Sequence, residues 1–342
     1  MTALISAGLC RILIRIAPRD NPDNGRKQQR FAVPTSGGTA IVLALCLAGL
    51  GLSLYQGFIV NRPIVFAPLM HQDFIAITAF CLYALCLGAW DDRQALPVKP
   101  RLMITGLLLV LLTAFGPSVT AIFVPFLTSA TPVPIVIAVL GTALWVFVIM
   151  NGVNFIDGSN GLAMGLLAIM LGGLALRFHN APDLYTPGLV WLCAFSIAAI
   201  LGFLYWNLQG KLYAGDAGAL FGGTWFACLA VLAAQDGNIW FVATLGLPIL
   251  VDVFLTLIWR LHHKQNLLQP HRHHAYQLLS RAGWGHIQIA LLYWAIAFVC
   301  AGLALIAVDY GPLQSFAVFM ILLISLSLIW ALQRRAHRIP LP

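Results

Sequence analysis

The sequence predicts an all-α fold: a polytopic membrane helix bundle of about ten or eleven transmembrane helices, with active-site loops on the cytoplasmic face. Three observations lead there. The chain has 342 residues, 61% of them hydrophobic and only 9% charged, whereas a soluble domain carries charge on about a quarter of its residues. Apolar runs of roughly 18 residues or more, long enough to cross a bilayer, recur along the whole length. All eleven acidic residues are Asp and none is Glu. Glu is a favoured residue on solvated helices, so little of this chain is solvated helix.

Taken in order, the spans read 1–17, 38–60, 72–90, 102–118, 131–150, 161–177, 185–206, 217–235, 238–259, 287–308 and 312–332. The first is short for a crossing. Its Arg11 and Arg15 follow the apolar part, the reverse of a secretory signal peptide, so it is either a truncated start or a partial helix. No linker, repeat or shift in composition divides the chain, and residues 1–342 are read as a single integral-membrane domain. Orientation follows from charge. With the segment after the first helix placed inside, seventeen of the nineteen basic residues fall on the cytoplasmic side and only Arg62 and Arg177 fall outside. The C-terminus is then cytoplasmic.

The net charge of +8 would suggest nucleic acid in a soluble protein. Here the basic residues sit in short loops between apolar runs, which points to topology and anionic lipid and excludes nucleic acid as a partner. The seven cysteines lie inside apolar runs and form no C-x-x-C pair. They read as small buried hydrophobes rather than as a disulfide or zinc framework.

Polar groups gather in a few segments that the topology brings to one face. Asp91 and Asp92 end a span, followed by Lys99 and Arg101. Adjacent carboxylates repel unless a cation is near, so the pair suits a divalent metal or a base facing phosphate; it also suits a mixed-charge helix end. N-G-V-N-F-I-D-G-S-N-G-L-A at 151–163 places Asn and Asp at spacings of three, one face of a helical turn. Such oxygen donors suit magnesium; an interhelical turn uses the same residues. Asp216 stands between glycines at the entry to a span, as a ligand or as a helix N-cap. The longest cytoplasmic loop, about 260–286, holds His262, His263, His271, His273 and His274 with Arg260, Lys264 and Arg272. It reads as a phosphate-binding or a lipid-facing loop. Residues 20–40 are basic and polar and end in Gly37-Gly38, a lipid-phosphate site or a leaflet anchor. Asp252 alone lies within a span.

Asp91-Asp92, the 151–163 segment, G-D-A-G at 215–218 and H-R-H-H-A-Y at 271–276, with P-T-S-G-G at 34–38, resemble the polyprenyl-phosphate N-acetylhexosamine-1-phosphate transferase family (glycosyltransferase family 4). That family includes phospho-MurNAc-pentapeptide translocase and the enzymes that begin O-antigen and N-glycan assembly. The resemblance implies a bacterial inner-membrane enzyme. It would transfer N-acetylhexosamine-1-phosphate from a UDP-sugar to undecaprenyl phosphate, releasing UMP, with Mg2+ or Mn2+ as cofactor. It implies catalytic roles for Asp91, Asp92 and Asp157 and metal ligation by Asp216 and Asn154. Substrate contacts would come from Lys99, Asn151, Asn160, Arg272, His274 and His271. It also allows a homodimer.

Three positions depart from the family pattern. Asn160 stands where many bacterial members have a second Asp, only His274 of the frequent H-x-H-H is kept, and Thr105 replaces a common Gln. The late motif resembles the O-antigen-initiating branch, whose donors are GlcNAc, FucNAc or QuiNAc. The competing reading is a polytopic transporter; transporters place polar groups near the midplane, where this chain has only Asp252. A CDP-alcohol phosphotransferase needs a D-G-x-x-A-R signature that is absent.

Overall fold

The computed structural model describes residues 1–17, 19–20, 32–60, 72–94, 96–127, 129–180, 186–269 and 271–336. The basic residues of 21–31 and the charged residues Arg62, Asp183 and Arg338 lie outside the described residues. Twelve helices follow one another: α1 (Thr2–Ile16), α2 (Gly37–Leu54, continuing as helix to Ile59), α3 (Gln72–Asp91), α4 (Val98–Phe115), α5 (Ile135–Ile156), α6 (Leu162–Asn180), α7 (Thr186–Asn207), α8 (Gly215–Ala233), α9 (Ile239–His262), α10 (Ala275–Arg281), α11 (His286–Tyr310) and α12 (Pro312–Ala336). Two short antiparallel pairs accompany them, β1 (Arg19–Asp20) with β2 (Val33–Pro34) and β3 (Ala121–Ile122) with β4 (Thr131–Pro132).

Ten of the helices are long and apolar enough to cross a membrane, so the protein is an all-α, multi-pass bundle. The first apolar run forms the 15-residue α1, which at 1.5 Å per residue falls short of the roughly 30 Å hydrocarbon core. It packs along α7 and α2, with Ser6 donating to the Ala199 carbonyl and Trp206 to that of Ala7. All seven cysteines are free; Cys46 and Cys86 are exposed on the apolar surface rather than buried.

α8 is the central helix. It packs against α2, α3, α5 and α6, and 83% of its apolar stretch is buried, against 17% for α12. A helix surrounded on every side needs small residues where its neighbours cross. Gly218 meets Gly38 of α2 backbone to backbone, Gly223 meets the end of α5 at Met150, and Gly88 of α3 presses on the Asp216–Ala217 backbone. Such contacts hold helices together without a hydrophobic drive between them.

The helices run further towards the site than hydropathy showed. α4 begins at Val98, so Lys99 and Arg101 lie on its first turn. α5 continues to Ile156, so Asn151 and Asn154 sit on a helix rather than in a connecting loop. Polar residues ended the apolar runs while intrahelical hydrogen bonds carried the backbone past them.

A Cβ at Gly38 would strike Gly218, whereas one at Gly106 meets nothing. Gly38→Val should therefore destabilise the protein by about 1–3 kcal/mol or more. Gly106→Ala should be neutral or stabilising by up to about 1 kcal/mol. Thermal melts in detergent check both.

Candidate active site

The site is assembled at one end of the bundle, where α3, α5, α7 and α9 finish and α4, α6, α8 and α11 begin. Its floor is the N-terminus of α8. A helix start leaves backbone N–H groups unpaired, and Ala214 at the cap provides no side-chain acceptor. Asp92 does so from another helix. Its two carboxylate oxygens accept from the N–H of Asp216 at 3.0 Å and of Ala217 at 3.2 Å, where the helix dipole also favours an anion.

Gly215 makes this fit. Its φ of +72° belongs to the left-handed region, and a Cβ there would run into the Thr35 carbonyl and the Asp92 carboxylate. The segment before it is paired with the start of α2: Tyr213 donates to Pro34, and Gly37 and Gly38 donate to the carbonyls of Tyr213 and Ala214, each at 2.9 Å. The early P-T-S-G-G and the later G-D-A-G are thus one structural unit.

Asp91 has a different set of partners. It forms an ion pair with Arg101 and accepts from the Leu96 N–H at 2.7 Å, closing the turn between α3 and α4. The Asp216 side chain, on the first turn of α8, lies within hydrogen-bonding reach of Asp91. Lys99 is exposed at the start of α4. A cation there opposes the helix dipole, so capping of α4 does not account for its position.

The other wall is the end of α5. Asn151 is buried and its amide donates to the Phe147 carbonyl at 2.8 Å; Asn154 is half-buried one turn on, and Asp157 is the last residue of the turn. Burial first, then the carboxylates of Asp216 and Asp92, push the Asp157 carboxyl well above the usual carboxylate range. The loop behind it is braced. The Asn207 oxygen accepts from the Gly161 N–H at 2.7 Å while its amide donates to Leu212 at 2.9 Å, Trp294 donates to the Gly161 carbonyl at 3.0 Å, and Ser159 bonds His286 at 2.8 Å. Asn160 lies beside Gly210. Asn207, which ties the 157–161 loop to the segment before α8, was missed in the sequence. A buried Asn closing an apolar run just ahead of Gly210 was the available signal.

The third wall is the histidine segment. His262 and His263 stay at the end of α9, where the His263 ring lies tilted against Trp259 at 4.1 Å. His271, His273 and His274 come together, with ring centroids 4.9 Å apart for His271 and His274. His274 is buried and stacks on Phe155 at 5.9 Å. The Tyr276 hydroxyl donates to the Phe155 carbonyl at 3.2 Å, which joins this wall to the end of α5. Arg260 donates to the carbonyls of Asn266, Leu267 and Gln269 and so shapes its own loop. Arg272 keeps a buried Nη2 with no acceptor.

A divalent ion fits the carboxylate wall. Arg101 pairs with Asp91 and the α8 dipole meets Asp92, but Asp157 and Asp216 form no ion pair with a described residue. No three His, Cys, Asp or Glu side chains converge as a closed metal site among the described residues. Magnesium needs none, since it binds through one or two carboxylates and completes its shell with water and substrate phosphates.

The fold is that of a multi-pass membrane protein with carboxylates and histidines gathered where α3, α5 and α9 end and α8 begins. Residues 74–234 match the model of glycosyl transferase family 4. The chain is 28% identical over 325 residues to a probable undecaprenyl-phosphate N-acetylglucosaminyl 1-phosphate transferase of Bacillus subtilis (strain 168), covering 93% of this chain and 85% of that one. It is 25% identical to the undecaprenyl-phosphate alpha-N-acetylglucosaminyl 1-phosphate transferase of Yersinia pestis, over 96% and 87% of the two chains. Identity is 24% to a phospho-N-acetylmuramoyl-pentapeptide-transferase of Lacticaseibacillus paracasei, over 81% and 85%.

Removing the Asp92 acceptor leaves two N–H groups unpaired. Asp92→Ala should cost about 1–2 kcal/mol, and Asp92→Asn, which keeps one acceptor oxygen, less; detergent melts read the difference.

Burial, helped by neighbouring positive groups, lowers His271 to about 3 and His273 to about 4, from an ordinary value of 6.5. Between those values and 6.5 the unfolded chain binds more protons, so stability rises with pH in that window. The melting temperature should fall as pH drops below about 6.5. Replacing both histidines with Gln should flatten that fall.

Proposed function

We propose that the protein transfers N-acetylhexosamine-1-phosphate from a UDP-sugar to undecaprenyl phosphate, in the bacterial inner membrane, with the site facing the cytoplasm. The observation that carries this reading is the placement of Asp157. Asp216 and Asp92 are near enough to raise its carboxyl, and the Tyr276 hydroxyl donates to the carbonyl two residues before it. This supports reading the four separated motifs as one site rather than as four turns. The names of the relatives support the same substrates, and the bias of seventeen of nineteen basic residues to the side that sequence topology assigns to the cytoplasm supports a cytoplasmic site.

In the reaction, an oxygen of the lipid phosphate attacks the β-phosphorus of the UDP-sugar. The bond from that phosphorus to the bridging oxygen breaks, UMP departs, and a lipid diphosphate sugar remains. Asp216 and Asn154 would hold magnesium, which when bound neutralises donor diphosphate charge. Asp91, kept in place by Arg101 and the Leu96 N–H, orients the lipid phosphate. Asp92 keeps the α8 N-terminus closed beneath it. Lys99 meets diphosphate oxygens, and the unsatisfied Nη2 of Arg272 supplies a donor on the histidine side, with His271 and His274. Asn151 and Asp157 shape the nucleotide side, and Asn160 borders it. Attack is direct, since two carboxylates and a metal suffice. The donor is GlcNAc, FucNAc or QuiNAc, and the product starts O-antigen or another surface polysaccharide.

Purified protein with undecaprenyl phosphate and a panel of UDP-N-acetylhexosamines should release UMP only when Mg2+ or Mn2+ is present. Asp216→Asn should lower turnover at least about 100-fold, the scale of a lost electrostatic group at a reacting centre. Wild-type behaviour of that variant, or no UMP from any donor, overturns the reading; a trapped phosphoenzyme on Asp91 or Asp92 overturns direct attack. Lys99→Ala removes a charge-assisted bond of about 1.5–3 kcal/mol and should weaken donor use roughly 10-fold to 100-fold.

A further inference from the structure

Asp252 is an ionisable residue in the buried middle of the bundle, on α9 and 3% exposed. Burying a carboxylate is costly unless it is fully hydrogen-bonded. One oxygen accepts from the Ala275 N–H at 2.7 Å and from the Thr256 hydroxyl at 3.2 Å, with His274 Nδ1 at 3.5 Å. The other accepts from the Tyr293 hydroxyl at 3.0 Å. A single carboxylate thus gathers α9, the first turn of α10 and α11. The same segment is held from outside by α12. Gln333 donates to the Ala275 carbonyl at 2.7 Å, and Arg334, lying over the rings of Trp259 and Trp330, donates to the His273 carbonyl. The chain of contact then leaves the membrane interior: His274 stacks on Phe155, between Asn154 and Asp157.

We propose that Asp252 is a positioning residue for the reaction. Its carboxylate turns Nδ1 of His274 inward and fixes the backbone of α10, so that Nε2 is the ring nitrogen left for the donor's phosphate or sugar. A partner that orients an imidazole through one nitrogen decides what the other can do. The neighbouring His271 and His273 lack such a carboxylate partner among the described residues, and this separates His274 from them. The inference deepens the proposed function and rests on it.

The test measures Asp252→Asn, His274→Asn and the double variant. Asp252→Asn should raise donor KM about 10-fold to 100-fold, the range seen when the partner that orients a site histidine is lost, and leave acceptor KM unchanged. The double variant should be no worse than His274→Asn alone, because the two act as one unit. Hydrogen exchange across 274–281 should quicken in Asp252→Asn. Unchanged donor KM in a folded Asp252→Asn, or losses that multiply in the double variant, overturns the proposal. Should Asp252→Asn not accumulate, Tyr293→Phe removes one donor and keeps the carboxylate. It should raise donor KM less and quicken the same exchange, and wild-type behaviour of both overturns the proposal. Silence of the wild-type enzyme with every donor would instead count against the function, while the exchange data still read the lock.

Discussion

Helix α8 begins with backbone N–H groups that nothing in its own first turn can satisfy, and Asp92, at the end of α3, supplies the missing acceptor. Leaving those N–H groups without that acceptor costs about 1–2 kcal/mol. The requirement is directional, so it fixes more than stability. Asp92 reaches those N–H groups only because Gly88 lets α3 press on the α8 backbone and Gly215 takes a left-handed turn without a Cβ in the way. Once α3 and α8 are locked end to end, Asp216 faces Asp91, and the distance between the paired carboxylates and the metal-ligand candidate is set by backbone geometry rather than by side-chain rotamers.

That lock also sorts the negative charge. Two adjacent aspartates in a loop would repel, but here Asp91 has Arg101 and Asp92 has the positive end of α8. Neither Asp216 nor Asp157 forms an ion pair among the described residues, and burial with the nearby carboxylates raises the Asp157 carboxyl instead. On the proposed reading, a divalent ion would bind there.

The bundle was legible because hydropathy alone decides which segments can lie in lipid. The site was half legible. Asn151, Asn154 and Asp157 at spacings of three predicted a shared helical face, and α5 carries the first two on its last turns. The paired-carboxylate argument singled out Asp91 and Asp92 but not their different partners, since a cap made in trans leaves no local spacing to read. Asp252 was visible as the lone acid in a span, yet its main partner is the backbone N–H of Ala275, a donor every residue but proline carries. Asn207 went unnoticed for a similar reason: its partners, Gly161 and Leu212, are backbone groups.

The two halves of the site are held by different physics, and this bears on how they meet substrate. The carboxylate half is fixed by backbone capping and glycine contacts, which allow little adjustment. The histidine half hangs on side chains from α9, α11 and α12, through Asp252, Tyr293, Gln333 and Arg334. Side-chain networks have more freedom than a helix start, so on the proposed reading the histidine half is the one free to adapt to the donor sugar, while the carboxylate half holds phosphates common to every donor and acceptor. The candidate donors share an acetamido group and differ in the presence or orientation of hydroxyls. A wall built from a loop and a seven-residue helix, α10, can be recast for each without disturbing the helices beneath it. The departure at Asn160 falls on the α5–α6 connection and those of the late histidine motif on the first turn of α10, not on the α3–α8 lock.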